Sequence, residues 1–300
     1  MEQPLVVVVG SINLDTTLDV ERLPSAGETV LATGVRTAVG GKGANQAAAA
    51  ARQGVPTAFV GVVGDDTTGA SLLDALIDSG VDVSSCRTSG DSVSGQALIT
   101  VDGDGTNTIV VAAGANATLR PADVGVAGRA TVVLVQLEIP DDAVRASLEA
   151  GRAGGAVTIL NPAPARDLDP EVLVLSDILV PNEHEAAALT GITSAEGAAA
   201  ALASASRGGT VIVTCGERGA LIWRDGSGVW VPSVVVDVVD TVAAGDAFCG
   251  VLAASLGERR SLDAAVRRAA AAGAHATTVP GALPSLPTRA DVDRLLADDA

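Results

Sequence analysis

Three short stretches combine glycine with carboxylates and amides at spacings that can do chemistry. Asp240-Thr-Val-Ala-Ala-Gly-Asp246 runs into the apolar helical stretch 250–256. Small residues at a helix start leave backbone amides bare. Ala243, Ala244 and Gly245 can therefore hold an anion, such as a transferring phosphoryl group, under a favourable helix dipole. Asp246 at that edge can take a proton from an attacking hydroxyl; in isolation the same residue reads as an N-cap. Gly40-Gly-Lys-Gly-Ala-Asn-Gln46 also leads into a helix. Its glycines let a ligand approach the backbone, and Lys42 and Asn45 can donate to hydroxyls, although a Gly-rich helix start is also ordinary turn chemistry. Asn13 and Asp15 leave the first strand two residues apart, on one side of an extended segment, or else initiate a turn.

Two further candidates follow strand-like runs. Asn182 and Glu185 have capping-box spacing, and the same amide and carboxylate can hold a hydrated Mg²⁺ near phosphates. Glu138 ends the run 131–137 as a surface carboxylate or as an acceptor for a substrate hydroxyl. His184 and His275 lie too far apart to make a metal site without help. Cys86, Cys215 and Cys249 form no CxxC pair, which fits a reducing compartment. The GxxxxGK[ST], GxGxxG, GxSxG and HExxH patterns are absent, so P-loop, Rossmann, hydrolase and zincin readings lose their main support.

The elements that must position these residues alternate. Apolar runs at 5–9, 58–63, 131–135, 157–160, 177–180 and 211–214 predict strands buried on both faces. Ala-rich stretches at 44–52, 69–77, 143–153, 183–189 and 198–206 predict helices between them. The expected fold class is α/β, a largely parallel sheet with helices on both faces, whose ligands gather beyond the carboxyl ends of the strands. Segments 16–37 and 95–111 are richer in Thr and Val with polar alternation, and Asp102-Gly-Asp-Gly105 supplies a hairpin turn. They predict a small antiparallel sheet projecting from the body. With no repeat and no linker rich in Pro, Gly or Ser, residues 1–300 are expected to form one domain.

The 300 residues carry 19 Lys and Arg against 36 Asp and Glu, a formal charge of −17, which repels phosphate backbones and anionic lipid and argues against nucleic-acid or membrane partners. Two Phe, two Trp and no Tyr mean that a ligand site must rely on backbone, carboxylate and amide groups instead of ring stacking. Met1-Glu-Gln-Pro4 lacks a cationic n-region and 5–9 is shorter than a signal core or a membrane span, so a cytoplasmic location without a targeting segment is expected.

Taken together these motifs resemble the ribokinase (PfkB-type) family of carbohydrate kinases. Gly10-Ser-Ile-Asn-Leu-Asp15, Gly40 to Gln46, Gly64-Asp-Asp66, Gly114-Ala-Asn116, Asn161-Pro-Ala-Pro-Ala165, Asn182-x-x-Glu185 and Asp240 to Asp246 occur in the family's order over nearly the whole chain. The resemblance implies transfer of the ATP γ-phosphoryl to a sugar primary hydroxyl, O5 in the case of ribose. Sister kinases for deoxyribose, fructose, a nucleoside or 2-keto-3-deoxygluconate are the alternatives, and a non-catalytic sugar-binding module is the reading from another class. By the same carry-over Asn13, Asp15, Gly41, Lys42, Asn45 and Glu138 hold the sugar, and Asp246 is the base. Ala243, Ala244 and Gly245 form the anion hole, Asn182 and Glu185 arrange Mg²⁺ through water, and Thr214, Gly216 and Gly219 serve the nucleotide together with Asn182 and Gly245. The family also implies K⁺ held by Asp240 with Val242, Ala276, Val279, Gly281 and Ser285, and a homodimer formed through the small sheet as a lid. Ala270 beside the adenine, Ala247 and Cys249 after the base, and Ala26 in the lid depart from the family's usual residues.

Overall fold

Alternate residues of the first strand feed two different cores. Val6 and Val8 pack into one apolar cluster with Ala44, Phe248 and Ala269, while Val7 and Val9 pack into another with Ala143, Leu148 and Leu202. Such two-sided burial is why the run is continuously apolar. A computed structural model describes residues 5–298; Met1 to Pro4, on which the expectation of no targeting segment partly rests, lie outside the described residues.

In chain order the strands are β1 (Val6–Val9), β2 (Asn13–Asp19), β3 (Gly34–Gly40), β4 (Thr57–Val60), β5 (Val62–Gly64), β6 (Arg87–Ser89) and β7 (Gly95–Val101). After them come β8 (Asn107–Ala112), β9 (Val132–Val135), β10 (Val157–Leu160), β11 (Ile178–Leu179), β12 (Thr210–Thr214), β13 (Ala220–Arg224) and β14 (Ser227–Val231). The helices used below are α1 (Lys42–Ala51), α2 (Asp141–Gly154), α3 (Glu183–Thr190), α4 (Ala195–Ala205), α5 (Ala244–Gly257) and α6 (Leu262–Ala276).

The main sheet has the order β14-β13-β12-β11-β10-β9-β1-β4, parallel from β12 to β4. Helices α1, α5 and α6 cover one face, and α2 and α4 the other. From β1 the chain steps first to β4 on one side and later to β9 on the other. The topological switch point, where α/β sheets bind ligands, therefore lies between β1 and β9.

Two expectations change. The run 58–63 is not one strand: it breaks after Val60, and β5 leaves the main sheet to pair with β6. The antiparallel pairs β12–β13 and β13–β14 extend the sheet beyond the parallel core, a hairpin that the apolar runs did not disclose because its outer strand is mostly exposed.

The small sheet has the order β3-β2-β7-β8. The pairs β2–β3 and β7–β8 are antiparallel, and the expected turn after β7 closes with the Gly105 amide donating to the Asp102 carbonyl at 3.0 Å. The central pair β2–β7 is parallel, and the long connection between the two strands gives the crossover that a parallel pair needs.

Close helix contact completes the frame. A Cβ on Gly250 of α5 would stand 2.4 Å from the Gln46 carbonyl oxygen of α1, so only glycine lets these two helices approach to this distance. That approach brings the first turn of α5 against Asn45 and Gln46.

Candidate active site

Within three residues past the carboxyl ends of β1, β9, β10, β11 and β12 stand Ser11, Gln136, Asn161, Asn182 and Cys215. Above them, the N-termini of α1 and α5 converge. Gly41 occupies the N-cap of α1 with φ +91°, a conformation open to glycine, and a Cβ there would lie 2.8 Å from the Ile12 Cα. Ala243 caps α5 in the left-handed region at φ +60°, and no side chain caps the helix. Asp246 is therefore not the N-cap: it stands inside the first turn, and its carboxylate serves something else.

That carboxylate is buried. Asn45 donates to its Oδ2 at 2.9 Å and Gln46 to its Oδ1 at 2.9 Å. The residue also lines a cavity of about 200 Å³ with Lys42, Asn182, Glu185, Thr241, Ala243, Gly245 and Cys249. Burial pushes the Asp246 carboxyl above its ordinary range, the Lys42 ammonium and the Asn45 and Gln46 amides oppose the rise, and Glu138 adds to it. Burial works to lower the Lys42 ammonium, but Asp246, Glu138 and Glu185 outweigh it and hold the group above its usual value.

The backbone amides at the start of α5 make few helical bonds. The Ala244 amide reaches the Thr241 carbonyl only at 3.4 Å, and the first helical bond of this turn is Ala247 to Ala243 at 2.8 Å. Gly245 lies between, with nothing within 4 Å of where a Cβ would be. It lines both the smaller cavity and an adjoining one of about 520 Å³. The larger cavity is walled by Thr214, Gly216, Gly219, the valines Val234, Val235, Val236 and Val238, Phe248 and Ala270.

The remaining sugar candidates meet from separate elements. Asn13 Oδ1 accepts from Asn116 at 2.8 Å, and Glu138 Oε2 accepts from the Ser11 hydroxyl at 2.5 Å and from the Lys42 amide at 3.1 Å. Glu138 lies three residues past β9, not at its end, because the strand stops at Val135. Asp15 packs on the bare Cα of Gly40, its Oδ1 buried without a partner, and burial followed by Glu138 and Asp246 pushes its carboxyl up to about 7. Asn45 Oδ1 is likewise buried and unpartnered. Two orphaned acceptors in one site are what a polyhydroxylated ligand would satisfy.

Asn182 and Glu185 form a complete capping box, with each side chain accepting from the other's backbone amide at 2.8 Å. They also line the smaller cavity, where burial raises the Glu185 carboxyl above its ordinary range. A desolvated carboxylate beside an amide fits a hydrated divalent cation. Asp240 accepts from the Val242 amide at 3.0 Å and the Gly281 amide at 2.9 Å, which ties two of the cation candidates to one carboxylate. Ala276 is buried at the end of α6 and the Val242 side chain points to solvent, so any role of these two falls to backbone groups, whereas the Ser285 hydroxyl donates to the Ala282 carbonyl and keeps its oxygen lone pairs. Of the departures, Ala270 and Cys249 line the two cavities, Ala247 is core, and Ala26 is exposed in the loop before β3. Gln46, Gln136 and Ser11 were not singled out from sequence, although a Gln directly after an apolar strand run marks a polar group at the ligand end of the sheet.

Residues 3–289 match the profile of the pfkB family carbohydrate kinases. A ribokinase of Haemophilus influenzae is 38% identical over 291 residues, covering 94% of this chain and 95% of that protein. A deoxyribokinase of Salmonella typhi is 34% identical over 94% of this chain and 95% of its own. The structure of Arabidopsis thaliana ribokinase complexed with ribose and ATP superposes with a TM-score of 0.92 at 36% identity, covering 98% of this chain and 99% of that one.

Proposed function

The chain belongs to the pfkB family of carbohydrate kinases, and from that premise we propose that it transfers the γ-phosphoryl group of ATP to O5 of D-ribose. The observation that carries the reading is Asp246: a buried carboxylate held by two amides, beside the bare first turn of α5, where the two cavities meet. ATP lies with its base in the larger cavity and its phosphates toward Gly245. The sugar is held by Asn13, Asp15, Gly41, Lys42, Asn45 and Glu138. Asp246 takes the proton of the attacking hydroxyl as the new O–P bond forms, the bond between the γ-phosphorus and the β,γ-bridging oxygen breaks, and ADP leaves. The amides of Ala243, Ala244 and Gly245 and the Lys42 ammonium face the charge that builds on the transferring group. Asn182 and Glu185 would hold a hydrated Mg²⁺, which when bound neutralises phosphate charge. Asp240 with backbone groups of Val242, Ala276, Val279 and Gly281 and the Ser285 hydroxyl would hold K⁺.

The chain acts as one kinase unit in the cytoplasm, with the sheet of β2, β3, β7 and β8 as its lid. That sheet carries Asn13, Asp15 and Gly40, so closing it over the sugar would exclude water, the competing acceptor. Its apolar residues Val35, Leu98, Ile109 and Val110 are exposed, Val110 at 65%, which supports a homodimer through the lid. No single helix among the described residues is long and apolar enough to cross a membrane. The similarity to a deoxyribokinase favours deoxyribose as the second reading. An ATP-consumption panel with ribose, deoxyribose, fructose, adenosine and ketodeoxygluconate, with and without K⁺, decides. Ribose with K⁺ is expected to give the highest kcat/KM; another acceptor tenfold better would overturn the assignment.

A further inference from the structure

A directed chain of buried amides ends on the Asp246 carboxylate. Asn161 donates its Nδ2 to the Val180 carbonyl at 2.8 Å, which turns its Oδ1 toward Gln46. Gln46 Nε2 then donates both hydrogens, one to Asn161 Oδ1 at 3.0 Å and one to Asp246 Oδ1 at 2.9 Å. Its own Oε1 accepts from Gln136 Nε2 at 2.6 Å. Gln46 is held from both sides and cannot flip without losing three bonds at once, while Gln136 Oε1 is itself buried without a partner. Gln46 and Gln136 are fully buried, and a Cβ at Gly10 would fall 2.1 Å from Gln136 Oε1, so the backbone beside the relay is cleared for it.

From this geometry we infer that Gln46, locked by Gln136 and Asn161, is the positioning residue that aims the Asp246 carboxylate and keeps it ready to receive the hydroxyl proton. The inference rests on Asp246 being the base. The charged and titratable groups facing Asp246 are Lys42 on α1, Asp15 on β2, Glu138 after β9, Glu185 on α3 and Cys249 on α5. Only Lys42 among these favours the carboxylate. The neutral Asn45 and Gln46 amides supply the rest of its stabilisation, and removing one favours the protonated acid.

The test is the pH profile of kcat at saturating sugar and ATP for the full chain carrying Gln46→Met or Gln136→Met. In Gln46→Met the acid limb moves up by about one pH unit and kcat falls about tenfold, with KM for sugar changed less than about threefold. Gln136→Met leaves the bond to Asp246 but unlocks Gln46, and shifts the limb in the same direction by less. A purely structural role would lower thermal stability and the yield of active enzyme while leaving the limb in place; an unmoved limb overturns the inference. Should Gln46→Met fail to fold, the Gln136→Met profile decides by the same criterion. Asp246→Asn separates the two levels: retained turnover there sinks the base itself, whereas loss of turnover there with unmoved limbs in the Gln variants sinks only the positioning role.

Discussion

Replacing Asp15 by Asn should make the protein more stable while making it a worse enzyme, and the gain should grow with pH. Asp15 is half-buried, its buried Oδ1 has no partner, and desolvation followed by Glu138 and Asp246 pushes its carboxyl from an ordinary 3.8 to about 7. Between those two values the folded chain holds a proton that the unfolded chain releases, so stability falls as pH rises through this window and the whole penalty is present above it. Treating Asn as a permanently neutral Asp15, the variant gains about 2 kcal/mol at pH 5 and about 4 kcal/mol at pH 8. At roughly 2 °C per kcal/mol for a chain of this size, Tm rises by about 4 °C at pH 5 and about 8 °C at pH 8. Thermal unfolding of both proteins without ligands, at matched ionic strength across that range, measures the effect. In parallel, KM for ribose should rise about 10- to 100-fold, the cost of losing a charge-assisted hydrogen bond to a hydroxyl. A Tm difference that is flat with pH, or a variant less stable at pH 8, would refute the reasoning, because it would mean that Asp15 is not a carboxylate held in the site at a cost.

Asp246→Asn should lower kcat by about 10²- to 10⁴-fold in steady-state ATP turnover while calorimetry still detects ribose binding. It should cost little stability, since Asn45 can turn its unpartnered Oδ1 toward the new amide whereas Gln46 keeps donating to the remaining oxygen. Gly245→Ala places its methyl group in open cavity within a helix, so thermal unfolding should show a gain of about 0.5–1 kcal/mol while kcat/KM for ATP drops at least about tenfold. Glu185→Gln keeps an oxygen for the capping box and removes the charge, so Tm should stay within about 2 °C, and the Mg²⁺ concentration needed for half-maximal rate should rise about tenfold; an unchanged Mg²⁺ requirement would exclude Glu185 from the metal's surroundings.

Much of the frame was legible from residue order alone. The run Val6–Val9 could only be a strand covered on both faces, and the Ala-rich helices between such runs required a parallel sheet with ligands at one end. Gly41 before Lys42 announced a helix start, and the small residues before Asp246 announced another. These are local properties: periodicity, cap chemistry and glycine conformation act within a few residues, so one segment suffices to read them. The hairpin of β13 and β14 and the break after Val60 escaped because pairing partners, not the segments themselves, decide them.

Whether Asp246 caps its helix or faces the site was beyond such reading. As an isolated residue it fits an N-cap; in the folded chain the cap is Ala243, and the carboxylate turns instead to donors some 200 positions earlier in sequence. The raised carboxyl of Asp15 likewise exists only because β2, the segment after β9 and the start of α5 bring three acids together away from water. Composition and spacing chose the residues of the site. Their protonation and aim were set by the tertiary structure, because desolvation and hydrogen-bond direction depend on neighbours that only folding supplies.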